Sequence, residues 1–171
     1  MPLVSAQSYV QSILTGLTPP GDTGIRQPIN SLITPLDPDV NPDGIARVYV
    51  WPARFPEKRR AQPRNDLPNG NPGGWKDIKH ELQVFLVWMD NPDDPNADVN
   101  FPILIDWVAD VLRTSRNPVQ WTDPYSGITS NFANLGEVQT GDFVPPRTLA
   151  DMAMRRYDAR IQCTLLELFQ R

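Results

Sequence analysis

The residues Asp39, Asn41, Asp43 and Gly44, within "LDPDVNPDG", stand at the spacing with which a calcium loop of the D-x-N-x-D-G type begins. Such a loop works because alternate oxygen ligands wrap a hard cation, the glycine permits a sharp turn, and a bidentate carboxylate at the twelfth position closes the shell. Counted from Asp39, that twelfth position is Val50, and the residues around it alternate as a strand does. A second acidic stretch offers Asp94, Asn96, Asp98 and Asn100, but Val99 replaces the glycine and Ile105 takes the closing position. With the strongest ligand missing from both, no metal site is expected, and a calcium-dependent binding module is a remote alternative.

Other chemistries have less to stand on. The single histidine, His80, opens an alternating segment between Lys79 and Glu81, and no G-x-S-x-G elbow occurs to supply a nucleophile. The single cysteine, Cys163, has apolar residues at alternate positions and reads as a small buried residue; it cannot form an internal disulfide. "GNPGGWK" is not a phosphate loop, because Trp75 separates the glycines from Lys76 and Asp77 stands where a magnesium-binding hydroxyl would be. Carboxylates cluster in proline-rich stretches that nothing makes apolar, so no raised pKa is implied. The expectation is no catalytic residue and no cofactor.

The sharpest charge feature is "EKRRAQPR", with Arg59, Arg60 and Arg64. It reads either as a solvated loop or as an arm laying arginines on an acidic neighbour, since a guanidinium pairs bidentately with a carboxylate. Asp90, Asp93, Asp94 and Asp98 of the same sequence supply such carboxylates, so self-assembly through complementary loops is physically possible.

The elements that would position these residues follow from periodicity and composition. At 171 residues, 40% apolar and 21% charged, the chain fits one soluble globular domain, 1–171. Its 19 prolines are roughly twice the usual share, so much of it must be stiff connection. A net charge of −4 and a pI near 4.9 disfavour general nucleic-acid binding. No apolar run is long enough to span a bilayer, and no secretory signal is visible. "SAQSYVQSILTGL" has the 3.6-residue spacing of a helix over about 5–17, with Ser5 as N-cap and Gly16 and the following prolines as its stop. "INSLIT" could make a short extended piece, and "ARVYVW" alternates as a strand ended by Pro52. The aperiodic basic segment that follows is an exposed loop or hairpin tip. "KHELQVFLVW" is the clearest strand, its second face turning apolar as a central strand's does. "NFPILIDWVADVLRTS" reads as a helix capped by Asn100 with Pro102 in its first turn. "VQWTD" and "ITSNFANLGEVQTGDF" read as a hairpin, and "MRRYDARIQCTLLELF" alternates over enough positions to favour a strand over a helix. The sum is an α+β fold: a single mixed or antiparallel sheet, helices packed mainly on one face, a long charged loop between two strands, and a sheet and helix core over about 45–169.

The succession of a short amphipathic helix, "VYVWPAR", a charged loop, "HELQVFLVW", an acidic turn, "FPILIDWVADVLR" and a closing "YDARIQCTLLELF" resembles the tail terminator, or minor tail, proteins of long-tailed bacteriophages. The likeness runs from about Ser5 to Phe169 and is one of order, length and pattern rather than of a signature motif. It implies a sheet with helices on one side and a non-enzymatic virion protein of the tail or neck, assembled in the host cytoplasm. Such a protein forms a six-membered ring on the tail tube protein, stops tube polymerisation and meets the head–tail connector, while DNA passes through the lumen unbound. Another head–tail joining or tube protein is the neighbouring alternative. Head-to-tail ring closure uses two different patches per subunit, which Arg59, Arg60 and Arg64 on one side and Asp90, Asp93 and Asp94 on the other could provide.

Overall fold

The structure is a computed structural model that describes residues 2–23, 25, 27–31, 45–54, 60–62, 75–90, 96–115, 119–124, 127, 129–149 and 154–170. Two helices, α1 (Pro2–Leu14) and α2 (Ala97–Thr114), accompany seven strands: β1 (Asn30–Ser31), β2 (Arg47–Arg54), β3 (Arg60–Gln62), β4 (Trp75–Asp90), β5 (Val119–Thr122), β6 (Thr129–Leu149) and β7 (Met154–Gln170). They form one sheet in the order β1-β2-β4-β7-β6-β5, with β3 also pairing β4. β1 is parallel to β2 and the other pairs are antiparallel, so the sheet is mixed.

Alternation decides the central strands. β4 and β7 pair without interruption from Trp75↔Gln170 to Asp90↔Arg155. Leu82, Val84, Leu86 and Trp88 of β4 and Tyr157, Ala159, Ile161, Cys163 and Leu165 of β7 enter one buried cluster. Val48 and Val50 of β2 join them, as do Ala6, Val10 and Leu14 of α1 and Phe101, Leu104, Ile105, Val108 and Leu112 of α2. Both helices therefore cover the same face, the α+β arrangement expected. Aromatic side chains set the two docking points. Tyr9 of α1 stacks on Phe132 at 4.7 Å and meets Trp121 at 5.6 Å, while Phe101 of α2 lies 5.2 Å from Tyr157 and 6.2 Å from Trp88.

The boundaries depart from the sequence expectation at five proline- or glycine-marked points. α1 begins at Pro2 rather than beyond Ser5, because proline at a first helical position has its φ already set and no N–H to lose. It ends at Leu14, and Gly16, at φ 86°, turns the chain so that its N–H donates to the Ile29 carbonyl at 2.8 Å; Leu17 thus leaves the buried stripe. α2 begins at Ala97, with the Val99 and Asn100 N–H groups both donating to the Asn96 carbonyl, so Asn100 is not its cap and Pro102 lies inside the helix. Proline there removes one backbone bond near the helix start, where the loss is smallest. β2 continues through Pro52 to Arg54, shifting register between them. An edge strand tolerates proline in this way, and β1 covers β2 only at Arg47 and Val48. Farther along that edge the Gln7 side-chain amide donates to the Val50 carbonyl at 2.5 Å. Finally, β6 extends past Phe143 and through Pro145 and Pro146 to Leu149, shifting register against β7 four times.

Gly141 sits in one of those shifts. A Cβ there would lie 2.8 Å from the Arg160 carbonyl oxygen of β7, closer than any side chain could be accommodated without backbone movement.

Candidate assembly surface

The helices leave the opposite face of the sheet uncovered by either of them, and that face carries the alternate residues of β2, β4 and β7. The register builds it row by row. Trp51 of β2 lies across from Gln83 of β4, which lies across from Gln162 of β7 and then Gln139 of β6. In the next row Tyr49, Phe85 and Arg160 are neighbours. Tyr49 and Trp51 rings stand 6.0 Å apart, Tyr49 and Phe85 rings 6.5 Å, and the Arg160 guanidinium carbon sits 5.3 Å from the centre of the Phe85 ring. That arrangement is a cation held by an aromatic face. Arg160 is exposed and has no carboxylate partner among the described residues, and Trp51 is 51% exposed. At one end of this face Val87 and Met89 are buried, with the Arg156–Asp158 ion pair (3.0 Å) beside them across the ladder.

Farther along the same face a depression of about 210 Å³ opens among Lys79, Glu81, Glu137, Gln139, Gln162 and Thr164, where β6 shifts register between Leu135 and Val138. Leu82 and Cys163 also line it, but its walls are mainly polar, unlike the apolar enclosure that usually holds a small molecule.

The sequence-derived interface residues divide into two groups. Arg59, Arg64, Asp93 and Asp94 lie outside the described residues. Arg60 and Asp90 are placed by their backbone: Arg60 pairs with Asp77 at the start of β4, and Asp90 ends that strand opposite Arg155. Asp98, in the first turn of α2, is engaged within its own chain. Its carboxylate accepts from the Tyr157 hydroxyl at 2.8 Å and from Arg155 at 3.4 Å. Burial, and then the Asp98 bond, raise the Tyr157 pKa above the ordinary phenol value.

The residues weighed for chemistry are enclosed. His80 is 5% exposed and Glu167 fully buried, with His80 Nε2 2.7 Å from Glu167 Oε2. Without access to solvent, this pair ties β4 to β7 rather than presenting an acid or base to a substrate. Glu167 Oε1 and Trp121 Nε1 are buried with no hydrogen-bond partner among the described residues. Burial pushes the Cys163 thiol up to about 12, which keeps it protonated and weakly nucleophilic at neutral pH. The calcium-like run 39–44 lies outside the described residues; the residue in its closing position, Val50, is fully buried in β2. In the second acidic stretch, Ile105 is likewise buried, in α2. No group of three or more His, Cys, Asp or Glu side chains able to hold a metal occurs among the described residues. Among them, too, no helix is long and apolar enough to cross a membrane.

Sequence reasoning missed the Tyr49, Trp51, Phe85 and Arg160 patch. The alternation of each strand was legible, but that Arg160 lies across from Phe85 depends on the register between strands far apart in sequence. Glu167 was missed as a buried polar residue because nothing near it in sequence announces its partner. No protein-family model matches the chain, and no curated protein sequence matches it.

Proposed function

We propose that the chain is a structural, non-enzymatic protein that assembles into a ring of the tail-terminator kind, capping a phage tail tube and meeting a head–tail connector. The observation that carries the proposal is that the backbone sets Arg60 beside one end of a long strand and Asp90 at its other end. β4 has 16 residues, and at about 3.3 Å per residue it is roughly 50 Å long. Arg60 is tied to its first residues and Asp90 is its last. Arg59 and Arg64 follow or precede β3 closely in sequence, and Asp93 and Asp94 follow Asp90. The separation of Arg60 from Asp90 exceeds the screening length of about 8 Å several times over, so these two positions do little for each other within one subunit. Between subunits they are complementary, and a contact joining two different patches closes a ring when its rotation allows.

Arg60 and Asp90 already have opposite charges across their own ladders, Asp77 and Arg155. The intersubunit contribution therefore falls mainly on Arg59, Arg64, Asp93 and Asp94. A net charge of −4 suits a lumen through which DNA slides without being held. The sheet with both helices on one face agrees with the architecture that the resemblance implies.

The test is the solution mass of the purified chain by light scattering, with negative-stain images, for the natural sequence and for a charge reversal at Arg59, Arg60 and Arg64. Rings of the natural chain that loosen at high salt, and that revert to monomers on reversal, support the proposal. An unchanged mass in the reversed variant removes the charged arm from it. Images showing open tubes in place of rings would assign the chain to the tube instead.

A further inference from the structure

The ring reading leaves open which surfaces meet, and two patches that no function yet absorbs fit one another. The first is the sheet face opposite the helices, where the exposed Arg160 lies over Phe85, and Phe85 in turn neighbours Tyr49 and, beyond it, Trp51. The second is the outward stripe of α2. Val99, Ile103, Asp106 and Asp110 follow one another at the helical spacing that places them on one side, with the buried residues of α2 on the other. Val99 is 61% exposed, Ile103 half-buried, and Asp106 and Asp110 exposed. Asp110 is paired with Arg113 at 2.7 Å, whereas Asp106 has no ion-pair partner among the described residues. One patch is thus aromatic with a cation and the other aliphatic with an anion, neither of them ion-paired among the described residues.

Resting on the ring reading, we infer that the α2 stripe of one subunit seats on the uncovered sheet face of the next copy, Val99 and Ile103 against Trp51 and Tyr49, and Asp106 against Arg160. Three physical points favour a second copy as the occupant. The charges are complementary one to one, and a guanidinium already oriented over an aromatic ring loses less freedom on pairing with a carboxylate. The two patches lie on opposite sides of the subunit, because α2 covers the face that Trp51 does not occupy; a contact between them is heterologous and propagates around a ring. Each patch also adjoins one of the charged stretches in sequence, since β2 leads from Trp51 toward the arginine arm and α2 follows directly after the acidic run. Aromatic residues and arginine are the residue types that anchor interfaces.

The experiment uses the full chain with Trp51→Cys and Val99→Cys introduced together and oxidised under assembly conditions. The one natural cysteine, Cys163, is buried with its thiol held protonated, so it stays out of the exchange. The double variant should give a ladder of covalent oligomers ending in a closed ring, and a mixture of the two single variants should give only the mixed dimer. In parallel, Arg160→Glu should weaken association about tenfold, a loss near 1.4 kcal/mol, and Asp106→Lys added to it should restore association. Rings without the Trp51–Val99 cross-link, or no rescue by the charge swap, overturn this interface and leave the ring standing. A cross-linked ladder that images as open filaments keeps the interface and removes the ring. Neither rings nor cross-links at any concentration removes both.

Discussion

Replacing His80 with leucine while Glu167 stays in place should destabilise the fold by about 1–3 kcal/mol, the usual cost of leaving a buried hydrogen-bonding group without its partner. The structure explains why this site belongs at that level. Glu167 is fully buried, one of its oxygens has no partner among the described residues, and the other is held by His80 at 2.7 Å. Loss of the imidazole leaves the carboxylate with neither oxygen bonded among the described residues, on a face whose cross-strand neighbours are Phe132 and, beside His80, Leu165. For a chain of this size 1 kcal/mol moves the melting temperature by about 2–4 °C, so a fall of roughly 2–12 °C is expected. Replacing both residues, His80→Leu with Glu167→Leu, puts apolar side chains into apolar surroundings and should return stability to within about 1 kcal/mol of the natural chain. Urea unfolding of the two single variants and the double variant closes the cycle. The reasoning fails if the His80 variant loses less than about 1 kcal/mol, or if the double variant loses as much as the two singles added together.

Two further outcomes follow from the same packing. Gly141→Ala places a methyl group 2.8 Å from the Arg160 carbonyl, which forces β6 and β7 apart and should cost about 1–3 kcal/mol in urea unfolding. A loss no greater than that of an alanine at an ordinary strand glycine would show that the bulge yields freely. The thiol of Cys163, raised from 9.0 to about 12, binds its proton more tightly in the folded chain than in the unfolded one. Its contribution is therefore complete below pH 9 and lost as the pH rises toward 12, on the order of 2 kcal/mol by pH 11. Denaturant unfolding from pH 8 to 11 should show a steeper alkaline decline in the natural chain than in Cys163→Ala, and parallel curves would refute it.

How far the fold could be read depended on whether the information was local. β4 and β7 announce themselves because both are central, and their alternation survives over more than a dozen residues. The C-terminal segment, whose composition also permits a helix, is a strand because β4 and β6 flank it on both sides. Proline misled at strand and helix ends alike: Pro52 and the pair Pro145 and Pro146 lie within strands, and Pro102 lies inside α2, since edge positions and early helical turns can spare an N–H. Of the charged candidates, Asp98 turned out to be held by Tyr157, and the register sets Arg60 opposite Asp77 and Asp90 opposite Arg155. Those partners are distant in sequence, and so is Arg160 from Phe85.

The unequal lengths of β6 and β7 have a mechanical meaning. From Asn131 to Leu149 β6 takes 18 steps while β7 takes 14 between the matching partners, Leu168 and Met154. Four extra residues on one rail of a two-rail track add roughly 13 Å of contour, and a track with unequal rails must bend. The surplus is dispersed among four places, so the spacing of outward amide and carbonyl groups along β6 never settles into the even repeat that a foreign strand requires. Beyond Phe132, where β5 stops pairing with it, this border curves and is out of step with any straight neighbour. Along this border, copies of the chain are thereby discouraged from zipping edge to edge into a growing sheet.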